Sequence, residues 1–325
     1  MKAIRCHELG PPSSLIYEEV ESPKISDDDV LIDVHACSVN FPDTLIIKGQ
    51  YQFKPNLPFS PGSDVSGTVV SIGDKVKNFS LGDEVIGIML NGGYAEQAAI
   101  NQHMLIPKPN SMSFEEASCF LYTYSTSYYA LKYRAQIKAG DKVLVLGASG
   151  GVGLAAVQLA KALGAFVIAA ASTDEKLQVC KDHGADELIN YTNEDLKAKV
   201  KTLTQYNGID IVLDPVGGEY AEPAVRTLAW NGRYLVVGFT GGFIPRIPLN
   251  LCLLKSCQIV GVFLGAFAMK FPKEMHQLRL ELLELYKTAG LKPYISKTYA
   301  LEQAPQAIQD MMDRKAIGKL VVKIK

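Results

Sequence analysis

The chain has 325 residues, 48% hydrophobic and 21% charged, with 33 Lys and Arg against 34 Asp and Glu for a formal charge of -1. That length suits two domains, each with its own core, and the near-neutral balance without a basic stripe argues against a nucleic-acid partner. The opening residues, Met1-Lys2-Ala3-Ile4-Arg5, hold no apolar h-region, so no secretory signal is expected and the reading is an intracellular, cytoplasmic protein. Six cysteines, at 6, 37, 119, 180, 252 and 257, lack paired C-x-x-C spacing and read as thiols rather than disulfides or metal ligands.

In the first third of the chain short strands alternate with turns. In Val30 to Ala36, Ile32, Val34 and Ala36 alternate with Asp33 and His35, the period of a half-buried strand. Gly67 to Ile72, Asp83 to Ile88 and Tyr94 to Ala99 read as further strands, separated by Gly73-Asp74, Gly82-Asp83 and Asn91-Gly92-Gly93 turns. From Thr123 the pattern changes. Ser125 to Tyr133 reads as a helix. Strand-like runs at Val143–Leu146, Phe166–Ala170, Glu187–Ile189, Ile209–Leu213, Tyr234–Val237 and Ile259–Val262 then alternate with helical ones. Six apolar strands with intervening helices predict a parallel sheet covered on both faces. A helix-rich tail follows Gly265, and Gly318 to Ile324 forms one more strand.

The chain pivots on Gly140 to Lys161. Val143 to Ala160 carries no charge for 18 positions, a length that could span a membrane, but its central glycines and the flanking Asp141-Lys142 and Lys161 mark strand, tight turn and helix. Such a turn leaves first-turn N–H groups unpaired at the positive end of a helix dipole, where a phosphate binds. Ser149, Gly150, Gly151, Val152 and Gly153 are the expected cradle. Gly150 and Gly153 lack the Cβ that would keep a pyrophosphate or the strand away, although Ala148 stands where a dinucleotide fingerprint usually has its first glycine.

An NAD site usually carries an acid at the end of the second strand. Here Phe166–Ala170 runs into Ala171-Ser172-Thr173-Asp174-Glu175-Lys176 with no acid at the strand end. The Ser172 hydroxyl and Lys176 ammonium suit a 2′-phosphate, which favours NADPH. Asp174 and Glu175 stand close enough to supply an NAD-type acid, and Ser172 and Lys176 also read as a helix cap and a solvated lysine. Val216, in Asp214-Pro215-Val216-Gly217-Gly218, and Phe239 and Thr240, in Val237-Gly238-Phe239-Thr240, follow the fourth and fifth strands, and ligands bind outside such carboxyl ends.

Gly140-Asp141, Leu144, Ala148-Ser149-Gly150-Gly151, Gly153, Gln158 and Lys161 together resemble the signature of the zinc-independent quinone oxidoreductase (zeta-crystallin-like) family of the medium-chain dehydrogenase/reductase superfamily. Pro61-Gly62-x-Asp64-x-x-Gly67, Gly82-Asp83-Glu84-Val85 and Gly93-Tyr94-Ala95-Glu96 resemble the landmarks of its catalytic domain in order and spacing. The resemblance implies an α/β protein: a Rossmann domain with a six-stranded parallel sheet at 125–265, and a β-rich GroES-like catalytic domain built discontinuously from 1–124 and 266–325. It implies cofactor contacts from Tyr191, Thr126 and Asn40, and a homodimer paired through Gln258 to Val262.

Against zinc-dependent relatives, Asn40 matches a ligand cysteine and Gly62-Ser63-Asp64 the Gly-His-Glu position, and the four-cysteine lobe is missing, so no metal is expected. The chemistry left to a reduced nicotinamide is hydride addition to a quinone or to the C=C of an α,β-unsaturated carbonyl compound. Asn40 can donate to the developing oxyanion and Tyr51 can supply the proton, since phenols stay protonated at neutral pH. Asp43 can orient either. Ser38 to Asp43 with Gly49-x-Tyr51 resembles the family's active-site loop. Asn40 to Asp43 also reads as an Asx-type turn and Tyr51 as a surface aromatic. Two rival functions are a 2-enoyl thioester (acyl-CoA) reductase, with Arg246, Lys270 and Lys273 near the carrier, and an NADPH-binding structural or RNA-binding protein of crystallin type. No membrane partner is expected.

Overall fold

The computed structural model describes all residues, 1–325, and divides into two compact units, Met1–Tyr122 with Pro293–Lys325, and Thr123–Lys292.

The first unit begins with β1 (Lys2–Arg5) and β2 (Ile16–Glu19), paired antiparallel. It continues through β3 (Asp29–Ser38), α1 (Phe41–Ile46), β4 (Asp64–Ile72), β5 (Glu84–Ile88), β6 (Gln97–Asn101) and β7 (Leu105–Pro107). Ile32, Val34 and Ala36 are buried, and Ile32 and Val34 pack with Ile4, Val65, Val85 and Tyr94, while Ala36, beyond a register shift in the β3/β4 pairing, packs with Cys119 and Val321. The expected strand at Tyr94 begins instead at Gln97. Tyr94 turns inward, its ring fully buried.

α2 (Phe114–Tyr128) starts eleven residues before the helix expected at Ser125. Its start is a Ser113-x-x-Glu116 capping box: the Glu116 N–H donates to Ser113 Oγ at 3.1 Å, and the Ser113 N–H donates to Glu116 Oε2 at 3.1 Å. A π-type stretch, Tyr129–Arg134, follows.

The second unit carries β8 (Lys142–Leu146), α3 (Gly151–Ala162), β9 (Phe166–Ala171), α4 (Asp174–Asp182), β10 (Glu187–Asn190), α5 (Leu196–Leu203) and β11 (Ile209–Asp214). After these come α6 (Ala221–Val225), β12 (Leu228–Val236), α7 (Asn250–Lys255), β13 (Gln258–Gly261), α8 (Leu264–Lys270) and α9 (Pro272–Ala289). All six strands expected here are present. They pair in parallel in the order β10-β9-β8-β11-β12-β13, so the winding reverses between β8 and β11. Val143 to Leu146, Ile209 and Ile211 to Leu213 are buried because helices cover both faces.

The chain returns to the first unit with β14 (Ile295–Ala300), α10 (Ala304–Met312) and β15 (Lys319–Lys323). β15 pairs parallel to β14 and antiparallel to β3 in a mainly antiparallel sheet ordered β14-β15-β3-β4-β5-β7, with β6 also on β3. The switch between units falls at 293, not at the expected 266. The long α9 buries Met275, Leu278 and Leu282 with the second unit, and a helix-rich composition alone gave no hint of which core it would join.

Candidate functional site

Two constellations carry chemistry, one in each unit. In the second, β8 ends at Leu146 and the backbone turns through Gly147 at φ +56. Gly147 thus supplies the left-handed turn beside Ala148, at the position before the usual first glycine. A Cβ on Gly153 would lie 2.3 Å from the Gly147 carbonyl oxygen and 2.8 Å from Ala148 Cα, so only glycine lets α3 press against the strand. A Cβ on Gly150 would meet nothing closer than 3.4 Å. Gly150 is the N-cap residue of α3 and offers no capping side chain, so the first-turn N–H groups of Gly151, Val152 and Gly153 remain available to an anion. Ser149 is buried at this turn, and Ser127 Oγ donates to the Val152 carbonyl at 2.7 Å, tying α2, which carries Thr126, to the start of α3.

β9 delivers Ser172 to the same carboxyl edge. Thr173, not Ser172, caps α4, its hydroxyl accepting from the Lys176 N–H at 3.3 Å. That leaves Ser172 Oγ for Lys176 Nζ, 3.3 Å away, and removes the reading of Ser172 as a helix cap. Asp174 accepts from Asn190 Nδ2 at 2.7 Å, which ties the nearest acid to the neighbouring strand β10. Tyr191, next in sequence, packs its ring on Tyr220 with centroids 4.2 Å apart.

The loops after β11 and β12 are sewn together. The Asp214 carboxylate accepts from the N–H groups of Val216 (2.7 Å) and Gly217 (2.8 Å) and from the Tyr234 hydroxyl. Burial pushes its pKa up, while the Tyr234 and backbone hydrogen bonds pull it down. Thr240 Oγ1 donates to the Pro215 carbonyl at 3.0 Å, and the Gly241 N–H donates to the Val216 carbonyl at 2.7 Å. Val216, Phe239 and Thr240 are thereby brought together, and Val216 leaves no room for a Cβ on Gly147. The geometry is a helix start with unpaired main-chain N–H groups and a hydroxyl–ammonium pair at the end of the second strand.

The first unit holds a buried polar cluster. Asn40, 4% exposed, leads into α1; its N–H donates to Asp43 Oδ2 at 2.8 Å. The same oxygen accepts from the Tyr94 hydroxyl at 2.8 Å, and Asp43 also takes the Gly62 N–H. Burial raises the Asp43 carboxyl to about 6 even though these donors and Lys319 oppose the shift. Asp64, fully buried, accepts from Ser38 Oγ at 3.3 Å and from the Tyr122 N–H, and its Oδ1 has no partner. Burial raises it to about 7, against the pull of Lys319.

Tyr51 is half-buried and hydrogen-bonds Tyr122. The Tyr122 phenol is held well above its usual range by burial, then by Tyr51 and the carboxylates of Asp43 and Asp64. Asn40, Asp43 and Tyr51 therefore belong to one cluster, but Asp43 orients Asn40 and Tyr94, not Tyr51. Sequence reading missed Tyr94, Asp64, Tyr122 and Lys319. Tyr94 and Asp64 were visible as landmarks of the catalytic domain without an assigned task, and a lysine opening a strand with an apolar centre was the only sign of Lys319.

The cluster does not fit a catalytic zinc. Asn40 and Ser63 are a neutral amide and a hydroxyl, and Asn40 Oδ1 lies 2.6 Å from the ammonium of Lys319, which would repel a dication. Nowhere do three or more His, Cys, Asp or Glu side chains converge as a metal site would need.

A six-stranded sheet reversing at β8/β11, followed by a return to a GroES-like sheet, defines a medium-chain dehydrogenase/reductase. Residues 26–110 match the family described as "Alcohol dehydrogenase GroES-like domain" and residues 151–313 that described as "Zinc-binding dehydrogenase". The chain is 38% identical over 326 residues to the quinone oxidoreductase-like protein 2 homolog of Nematostella vectensis, covering 100% of this chain and 89% of the relative. It is 35% identical to the quinone oxidoreductase of Homo sapiens, covering 99% and 97%. Its backbone matches the crystal structure of Escherichia coli quinone oxidoreductase complexed with NADPH at a TM-score of 0.92, with 28% identity and coverage of 99% and 100%. The protein belongs to the quinone oxidoreductase family of that superfamily and is an oxidoreductase.

Proposed function

We propose that the protein is an NADPH-dependent, zinc-free reductase that transfers hydride to quinones or to the C=C of α,β-unsaturated carbonyl compounds. The observation that carries the cofactor choice is the contact of Lys176 Nζ with Ser172 Oγ at the end of the second strand, where Thr173 takes the cap and Asp174 is bound to Asn190. A bound dinucleotide would rest its pyrophosphate on the N–H groups of Gly151 to Gly153, near Ser149, and its 2′-phosphate on Ser172 and Lys176, with Tyr191 alongside. Thr126, Val216, Phe239 and Thr240 are assigned to the remaining cofactor contacts. The nicotinamide supplies the hydride. What the protein must add is a donor for the oxygen that gains charge and a proton to finish the reduction. Asn40 Nδ2 is assigned the first role and Tyr51 the second, and the likeness to quinone oxidoreductases supports the acceptor class.

The test is NADPH oxidation against an ortho-quinone, a para-quinone, an enone and an enoyl-CoA thioester, with NADH in parallel. Turnover of quinone or enone with NADPH, and a raised Michaelis constant for NADPH in Lys176→Ala, is the expected result. Turnover of the thioester alone would replace this reading by an enoyl reductase, and NADPH binding with no turnover would replace it by a binding protein.

A homodimer and a cytoplasmic setting belong to the same proposal. β13 pairs only with β12, leaving an edge flanked by exposed Leu253, Leu254, Ile259 and Phe263. All six cysteines are free, which accords with a reducing compartment. Light scattering that returns a monomer would remove the dimer from the proposal.

A further inference from the structure

Lys319 is the one ammonium among the buried polar groups around Asn40, and its reach is unusual for a lysine. It is 3% exposed, and its Nζ lies 2.6 Å from Asn40 Oδ1 and 2.9 Å from the Val39 carbonyl. The β15/β3 register pairs Val321 with Ser38, and the Val39 N–H donates to the Leu320 carbonyl at 2.9 Å, so extending the register by two residues sets Lys319 opposite Asn40. Gly318, at φ +62, makes the turn into β15; a Cβ there would strike the Tyr294 carbonyl at 2.2 Å. The backbone is shaped to deliver this lysine, and burying its charge is costly without a purpose or a partner.

An ammonium can only donate, so the group of Asn40 facing it must be the carbonyl oxygen. That settles the amide's orientation by chemistry. Oδ1 is spent on Lys319, and Nδ2 points the other way, where Ser38 Oγ lies at 3.3 Å and the Ser38 carbonyl at 3.5 Å. The Asn40 backbone is separately pinned by Asp43. Without Lys319 the amide could turn over and present an acceptor where a donor is needed.

We propose that Lys319 is a positioning residue that locks the Asn40 amide with Oδ1 on its ammonium and Nδ2 on the side of Ser38, so that Asn40 meets a developing oxyanion only as a donor, its N–H exchanging the 3.3 Å contact with Ser38 Oγ for that oxygen. The inference rests on the reductase reading for its consequence in turnover, but not for the lock itself. With the hydride on the substrate's β-carbon, or on a quinone, the electron pair moves to the carbonyl oxygen. Asn40 Nδ2 donates a hydrogen bond to it, and a proton added later completes the enol or hydroquinone.

The test combines Lys319→Met, Asn40→Ala and the double variant. Lys319→Met is expected to lower kcat by about ten- to a hundredfold, the cost of a misdirected group. NADPH affinity, read by titration, should stay within about twofold. In the double variant the loss should equal that of Asn40→Ala alone, because Lys319 acts only through Asn40. Losses that multiply, or a Lys319→Met enzyme with unchanged kcat, would overturn the proposal. Because Lys319→Met leaves Asp43 and Asp64 without a cation, the same comparison is made in an Asp64→Asn background if the single variant does not fold. The side-chain amide resonances of Asn40 give a readout independent of turnover: they should shift and broaden in Lys319→Met. If they do so while wild type reduces no acceptor, the lock stands and the reductase reading fails. If they do not move while wild type is active, the reductase reading stands and the lock fails.

Discussion

The two units hold charge in opposite ways. The cradle at the start of α3 is built from main-chain N–H groups and glycines, has no buried ionisable side chain, and presents its positive end to whatever anion arrives. The cluster around Asn40 encloses two carboxylates and an ammonium, all nearly inaccessible, and fixes their directions by hydrogen bonds. A backbone site should therefore tolerate changes of side-chain chemistry but no added atom. A side-chain site should tolerate changes of size better than changes of charge.

The sharpest break in that comparison is Gly153→Val. Its Cβ would sit 2.3 Å from the Gly147 carbonyl oxygen, so strand and helix must part. A loss of about 3 kcal/mol is expected, seen as a fall in Tm of roughly 10 °C. Gly150→Ala is the control: with φ -77 and nothing within 3.4 Å, it should leave Tm unchanged and weaken only NADPH binding.

Asp64 probes the other unit through pH. Its folded pKa of about 7 lies above the unfolded value, so between the two the folded state holds a proton that the unfolded chain has released. Stability from this group is therefore present in acid and lost as pH rises towards 7, the reverse of a salt-bridged aspartate. Asp64→Asn keeps an oxygen for Ser38 and Tyr122 and removes the charge. Its advantage over wild type in chemical denaturation should be small at about pH 4 and reach a few kcal/mol at about pH 8. An advantage independent of pH would mean that Asp64 is not buried as an acid.

Smaller is the effect of Lys176→Ala, expected to weaken NADPH about tenfold, or about 1.4 kcal/mol, and to leave NADH unchanged in a binding titration. Ser172→Ala should weaken NADPH only a few-fold, since a neutral hydroxyl contributes about 1 kcal/mol or less. Equal losses for both cofactors in either variant would move the contact from the 2′-phosphate to some other part of the dinucleotide.

How much of this was legible before the structure follows the same division. The parallel sheet and its cradle are local: alternation, apolar runs and four glycines within seven residues sufficed to locate every strand of the second unit and the turn after β8. The capping box at Ser113 was readable by the same rules and was missed, which cost α2 its first three turns. The acid cluster was legible only as Asn40, Asp43 and Tyr51. Tyr94 meets Asp43 across 51 residues and Lys319 meets Asn40 across 279. No periodicity encodes a contact of that separation. It exists because β15 inserts beside β3, and that pairing is set by the tertiary core. That Ser172 does not cap α4 likewise waited on seeing Thr173 take the cap.

The insertion of β15 also has a consequence for the order in which the protein is made. Ribosomes release residues 123–292, with their sheet complete in itself, before Lys319 to Lys323 exist. Until then the carboxyl half of β3 has an open edge, and Asp43 and Asp64 lack the cation that faces them at the end. The nascent first unit is thus the aggregation-prone partner, and a chaperone that shields β3 would need to let go only after the last strand has emerged.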